Sequence, residues 1–193
     1  MVVQGVKALL TDGQVVLIRQ LDAADTAAVL RLHDQLPERD RYLRFFTLGV
    51  AGLAELAARL TTVDDAHRAA LGAFAGEQLM GVAHYEILDD PAEAELALVV
   101  SHAVQAHGVG TLLLKHLGSL ARDHGVRRLV ADVLAENTRM MRVLTHSGLP
   151  VSVQREGTVL HVIVQLDPDD HLDDVAEREQ RADVRIGEDR RRR

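Results

Sequence analysis

The chain has 193 residues, 47% hydrophobic and 26% charged, enough for one well-buried core and too few for two ordinary domains. It contains no cysteine, which excludes disulfides, thiolate metal sites and a cysteine nucleophile. A net charge of −7 argues against broad contact with nucleic-acid phosphates, and no apolar run reaches membrane-span length, so a cytoplasmic protein without nucleic-acid or membrane partners is expected.

Residues 1–13 are weakly patterned, end in a turn at Asp12-Gly13, and read as an N-terminal extension. QVVLIRQL (14–21) predicts a first strand. Asp22 is placed as an N-cap, and Ala23, Thr26, Ala27, Val29, Leu30, His33 and Leu36 follow at roughly helical spacing. Pro37 ends that helix and opens a short second one, PERDRYLRFF, and a third runs from about Val50 to Leu60. HRAALGAFAG (67–76), QLMGVAHYEIL (78–88) and AELALVV (94–100) predict strands, the first two joined by a turn at Gly76-Glu77.

Val109 to His124 predicts an amphipathic helix with Leu112, Leu113, Leu117, Leu120 and Ala121 on its apolar side and Gly125 at its end. RRLVADVL (127–134) predicts a strand, Thr138 to His146 a helix closed by Gly148, and 150–166 a hairpin turning at Glu156-Gly157. From 167 to 193 dense charge replaces the pattern, as expected of a disordered tail. The order describes an α/β (α+β) domain over 14–166 with one mixed sheet.

The segment VVSHAVQAHGVGTLLLKHL, Val99 to Leu117, runs from a β-branched strand through two glycines into a helix. Glycines at a helix N-terminus suit a close-approaching anion. A P-loop needs Gly-Lys-Ser/Thr where the chain has Gly110-Thr111-Leu112, and a Rossmann turn needs a third glycine where it has Leu113. The pattern Gln-x-x-Gly-x-Gly is satisfied by Gln105, Ala106, His107, Gly108, Val109 and Gly110.

With that motif set between strand and helix, followed by a strand and Glu136-Asn137, the stretch from about Gln14 to Leu166 resembles the Gcn5-related N-acetyltransferase (GNAT) superfamily. RYLRFF (41–46), AELALVV and RRLVADVLAENTRMM are similar to the bacterial Pat-type protein-lysine acetyltransferases. The resemblance implies a mostly antiparallel sheet of six to seven strands, splayed at its centre and flanked by four to five helices. It implies acetyl-CoA as co-substrate and no metal.

Backbone N–H groups from Ala106 to Thr111, at the positive end of the helix dipole, would hold the pyrophosphate. Gly108 and Gly110 would let the backbone come close. The pantetheine arm would lie along Leu98, Val99 and Val100, with Asn137 bonding it or simply capping the following helix. Position 107, often Arg or Lys in this superfamily, is His107, which weakens side-chain charge there. The tyrosine often found seven residues after the asparagine is Leu144 here, so no general acid is assigned.

Amide formation from a thioester needs a neutral amine and hence a base. A glutamate at the place of Glu95 is the base in Pat-type enzymes, although a strand-end carboxylate facing water would look the same in sequence. Asp132, flanked by apolar residues, is the rival base, a substrate-positioning group or a structural one, and His84 is a candidate for the acceptor side or for plain core or surface placement. Arg41 and Arg44 share a helical face that could meet an acidic substrate or the chain's own tail.

The expected acceptor is an exposed lysine of a protein, with acyl-CoA synthetases among the candidates. A small-molecule amine and a non-catalytic acyl-CoA sensor are the alternatives.

Overall fold

The computed structural model describes residues 5–46, 52–62, 64 and 67–166. The expected start of the third helix at Val50 and the expected tail, 167–193, lie outside these residues. No helix among the described residues is long and apolar enough to cross a membrane.

Strands β1 (Val6–Leu9) and β2 (Val15–Gln20) lead into helices α1 (Thr26–Asp34), α2 (Glu38–Phe45) and α3 (Leu53–Leu60). Strands β3 (Arg68–Ala75), β4 (Gln78–Ile87) and β5 (Glu93–Val100) follow, then α4 (Val109–Asp123), β6 (Arg128–Leu134), α5 (Thr138–Thr145), β7 (Val151–Glu156) and β8 (Val159–Gln165). The sheet order is β1-β2-β3-β4-β5-β6-β8-β7, antiparallel everywhere except between β5 and β6.

The sheet has eight strands rather than six to seven. The extra one is β1, from the segment expected to be an extension. Its Val6 and Leu9 are 52% and 67% exposed, so the strand carries no buried-exposed alternation for sequence to reveal.

Asp22 accepts from the Ala24 N–H while Asp25 returns to the Asp22 N–H, a capping box that folds residues 23–25 into a 3-10 turn and delays α1 to Thr26. Asp25 is also buried against Arg19 at 2.6 Å, and the Arg19 guanidinium stacks 4.0 Å above Phe74. These contacts fix the entrance to the α1–α3 layer.

Alternation along β5 divides the core. Ala94 and Leu96 face the layer where α4 buries Leu113, Leu114 and Leu117, while Val99 faces the layer where α1 and α3 bury Val29, Leu32 and Leu60. Both faces of the central strands are therefore covered, and β5 runs between the two layers.

Candidate functional site

Parallel β5 and β6 pair only at Glu93–Arg128, Ala94–Leu129 and Glu95–Val130. Beyond that point β5 continues along β4 to Val100 and β6 continues along β8 to Leu134. The two strands part after Glu95. A cavity of 710 Å³ fills the opening, walled by Glu95–Val100 on one side and Ala131–Val133 on the other. Strand edges that face a cavity keep backbone groups for an extended occupant to meet.

At the far end of the cavity a 3-10 turn (His102–Val104) leads into the loop before α4. Ala106 and Gly108 both have positive φ, 72° and 93°, and α4 starts with no side-chain cap. Its first N–H groups have no intrahelical acceptors and sit at the positive end of the helix dipole.

The two glycines serve different ends. A Cβ on Gly108 would meet only Thr11 at 3.7 Å, so the left-handed φ is what requires glycine there. A Cβ on Gly110 would lie 3.0 Å from Cγ2 of Val143, so Gly110 serves the packing of α4 on α5.

The loop is braced from three sides. Thr11 donates to the His107 carbonyl through both its N–H and its hydroxyl, each at 3.2 Å. The His107 ring turns to Asp12 at 2.8 Å and is not part of the cavity wall. The Asp12 carboxyl is held below its ordinary range, first by the Gln14 N–H and also by His107. Gln105 donates to Asp40 of α2 at 2.9 Å and to the Val100 carbonyl at 3.3 Å. Its side chain braces the loop. Asp40 also receives His102 at 2.9 Å and lies 3.4 Å from Arg139 of α5, so it joins three elements around the cavity mouth.

Register places Glu95 opposite Glu86 and His84 opposite Ala97, putting these side chains on the α2–α3 face of the sheet. Glu95 is exposed and lines the cavity. His84 is 8% exposed and is not on the wall of that cavity, so it takes the core placement rather than the acceptor side. Its Nε2 lies 3.1 Å from Nη2 of Arg44. Burial pushes the imidazole down to about 3, with Arg44 adding to the shift, so His84 is neutral and accepts from the guanidinium. Arg44 itself is lowered by burial, against the attraction of Glu95.

The expectation for the two arginines of RYLRFF changes accordingly. Arg41 donates to the Asp34 carbonyl at 2.9 Å and the Leu36 carbonyl at 3.4 Å, closing the end of α1. Arg44 lines the cavity.

Asp132 lies two residues beyond Val130, on the same sheet face as Glu95, and also lines the cavity. Its apolar neighbours face the core while its own side chain is 60% exposed, so no inward orientation forces a function on it. It meets Nδ1 of His161 at 2.5 Å, and Nε2 of the same ring lies 3.1 Å from Glu156. Asp132, then Glu156, hold this imidazole above its ordinary range. Asn137 caps α5 by accepting from the Met140 N–H at 3.1 Å and also lies on the cavity wall. Leu144 is fully buried in the core.

Of the residues singled out from sequence, the cavity gathers Glu95, Leu98, Val99, Val100, Gln105, Ala106, Gly108, Val109, Gly110, Thr111, Asp132 and Asn137. Sequence reading missed Asp40, and it missed Arg139, Arg142 and His146, which bring positive or titratable charge to the wall from α5. Helical spacing in TRMMRVLTH places these three on one side of α5, a signal present in the sequence.

Comparison with known proteins agrees with this geometry. Residues 32–149 match the Acetyltransferase (GNAT) family. The structure is similar to the GNAT domain of S. lividans PAT, with TM-score 0.75 and 26% identity over 83% of this chain and 96% of that one. It shares its fold with YncA of Salmonella typhimurium, solved with its cofactor acetyl-CoA (TM-score 0.63, 20% identity, 79% of this chain and 95% of that one). The same holds for a cAMP-binding acyltransferase from Mycobacterium smegmatis (TM-score 0.60, 21% identity), where 87% of this chain covers 49% of the other. With the family matched over more than half its length, the chain belongs to the GNAT family of acetyltransferases.

Proposed function

We propose that the chain moves an acetyl group from acetyl-CoA to an amine, with the side chain of a protein lysine as acceptor, in a ternary complex where Glu95 is the base. The observation that supports this most directly is the position of Glu95. It stands at the last paired residue before β5 and β6 part, at one end of a cavity whose other end is the uncapped start of α4.

The site fits acetyl-CoA on its own features. An uncapped helix N-terminus behind the left-handed Gly108 suits a pyrophosphate, and the diverging strand edge suits an extended amide-bearing arm. Arg139 and Arg142 add positive charge at the cavity wall. Their presence offsets the position of His107, whose ring is directed to Asp12. The neighbour solved with acetyl-CoA and the similarity to a PAT domain point the same way.

In the proposed reaction the neutral amine attacks the thioester carbonyl, the C–N bond forms, the C–S bond breaks, and the sulfur leaves as thiolate. Glu95 takes the proton released by the amine, directly or through water. A free lysine amine titrates near 10.4, so at neutral pH a base must accept that proton. Asp132, exposed beside the opening and bonded to His161, is assigned to positioning the approaching cationic side chain.

The test is an acceptor panel. Purified protein is incubated with acetyl-CoA and either a protein with exposed lysines, such as an acyl-CoA synthetase, or small amines. Mass spectrometry then locates the added acetyl group. Acetyl-lysine formed on the protein faster than in the enzyme-free control supports the assignment. Turnover confined to small amines would replace the acceptor, and acetyl-CoA binding without any turnover would replace the enzyme reading with that of a sensor.

A further inference from the structure

Arg44 is a partly buried guanidinium with no anion against it among the described residues. Its Nη2 reaches the neutral His84, its Nε is buried with no hydrogen-bond partner among the described residues, and its carbon centre lies 4.8 Å from the centre of the Phe45 ring. Neither His84 nor Phe45 supplies negative charge.

Glu86 and Glu95 are among the carboxylates on that face of the sheet. Glu86 pairs with Arg59 at 3.2 Å. Glu95 attracts Arg44 through space, but no carboxylate among the described residues lies within 4.0 Å of the Arg44 guanidinium. Burying an unpaired charge is costly, and proteins ordinarily place a counter-ion beside it. Arg44 is also on the wall of the cavity. Its contact with His84, which lies opposite Ala97, puts it at the Glu95–Leu98 end and away from the loop before α4.

We propose that Arg44 binds a carboxylate carried by a substrate, beside the carbonyl that reacts. This deepens the function proposed above and rests on its assignment of the cavity to an acyl-CoA. The planar guanidinium offers paired donors that match a carboxylate in two parallel hydrogen bonds. Such a carboxylate has two sources. It is either the distal carboxylate of a dicarboxylic acyl thioester, such as a succinyl group, or a carboxylate next to the accepting amine. In either case the carboxylate is unchanged by the reaction. The C–N bond forms, the C–S bond breaks, and the amine proton goes to Glu95 as before.

The donor arm of the test is calorimetric and needs no acceptor. It compares succinyl-CoA with its uncharged isostere 4-methylpentanoyl-CoA, with acetyl-CoA as reference, on the wild-type chain, Arg44→Gln and Arg44→Lys. The acceptor arm follows thiol release from acetyl-CoA with free lysine against 1,5-diaminopentane, its decarboxylated counterpart.

The carboxylated member of one pair is expected to be favoured by about 10-fold or more, the scale of a hydrogen bond to a buried charged group. Arg44→Gln should bring that ratio close to one, and Arg44→Lys should keep part of it. Ratios within about 2-fold in both arms for wild type would overturn the proposal, as would a preference that survives Arg44→Gln. Should Arg44→Gln fail to fold, a preference undiminished in Arg44→Lys would count against the paired geometry. If acetyl-CoA itself does not bind, the acyl-CoA assignment fails and this proposal with it. If acetyl-CoA binds and neither pair is discriminated, only the carboxylate site fails.

Discussion

Asp40 on α2 and Gln105 in the loop before α4 meet side chain to side chain at 2.9 Å, although 65 residues separate them in sequence. The same Asp40 carboxylate receives His102 and faces Arg139, and its side chain is only 10% exposed. One residue of a short helix therefore holds the edge of the cavity together. Replacing Asp40 with Ala should cost about 1.5–3 kcal/mol, the range for hydrogen bonds to a charged group. Hydrogen exchange should rise together in α2 and in residues 101–106. Asp40→Asn, which still accepts from Gln105, should lose less. Exchange that rises in one segment alone would show that Asp40 does not couple them.

The two glycines of the loop make opposite predictions under a second substitution. Gly108→Ala forces a side chain into φ 93° and should cost about 1 kcal/mol whatever stands nearby. Gly110→Ala pushes a methyl against Val143, an overpacking cost of about 1–3 kcal/mol offset by up to about 1 kcal/mol of helix propensity. Adding Val143→Ala should recover part of the Gly110→Ala loss and none of the Gly108→Ala loss. Denaturant unfolding of the singles and doubles reads this directly, and purely additive losses for Gly110→Ala with Val143→Ala would refute the packing role.

His84 gives the fold an acid-sensitive element. Its folded value is pushed down to about 3, against 6.5 for an ordinary imidazole, and burial lowers His33 as well. Between those values the unfolded chain binds protons that the folded chain does not. The His84 contribution to stability is thus complete above about pH 6.5 and falls as pH drops toward 3, by up to about 1.4 kcal/mol per pH unit. Melting temperatures at pH 7, 6 and 5 should fall less steeply for His84→Gln than for wild type. Parallel curves would mean that His84 does not titrate on unfolding as described.

Periodicity makes most of this architecture legible in the sequence. Leu113, Leu117 and Ala121 recur at helical spacing, and β4 and β5 are dense in branched and apolar residues, so the expected elements from α4 onward match the observed ones within a residue or two. β1 is not legible because both its large apolar residues stay in solvent. The site divides along the same line. Its loop and strand are visible as a local motif, since the chemistry needs adjacent residues there. The Arg44–His84 and Asp40–Gln105 contacts span 40 and 65 positions and depend on how α2 settles on the sheet, which no local pattern specifies. The direction of the Asp132 side chain is not legible for a related reason. In a strand with one open face, apolar neighbours at odd positions say nothing about the even ones.

Glu95 is the residue on which the proposed chemistry turns, and the absence of cysteine leaves a thiol reagent nothing to react with except released coenzyme A. The most direct measurement is thiol release from acetyl-CoA by wild type and Glu95→Gln, alongside acetyl-CoA affinity by calorimetry. With Glu95 as the base, kcat falls about 100-fold or more, within the range for loss of a general base, while affinity changes little. A Glu95→Gln variant that turns over at the wild-type rate would contradict that role.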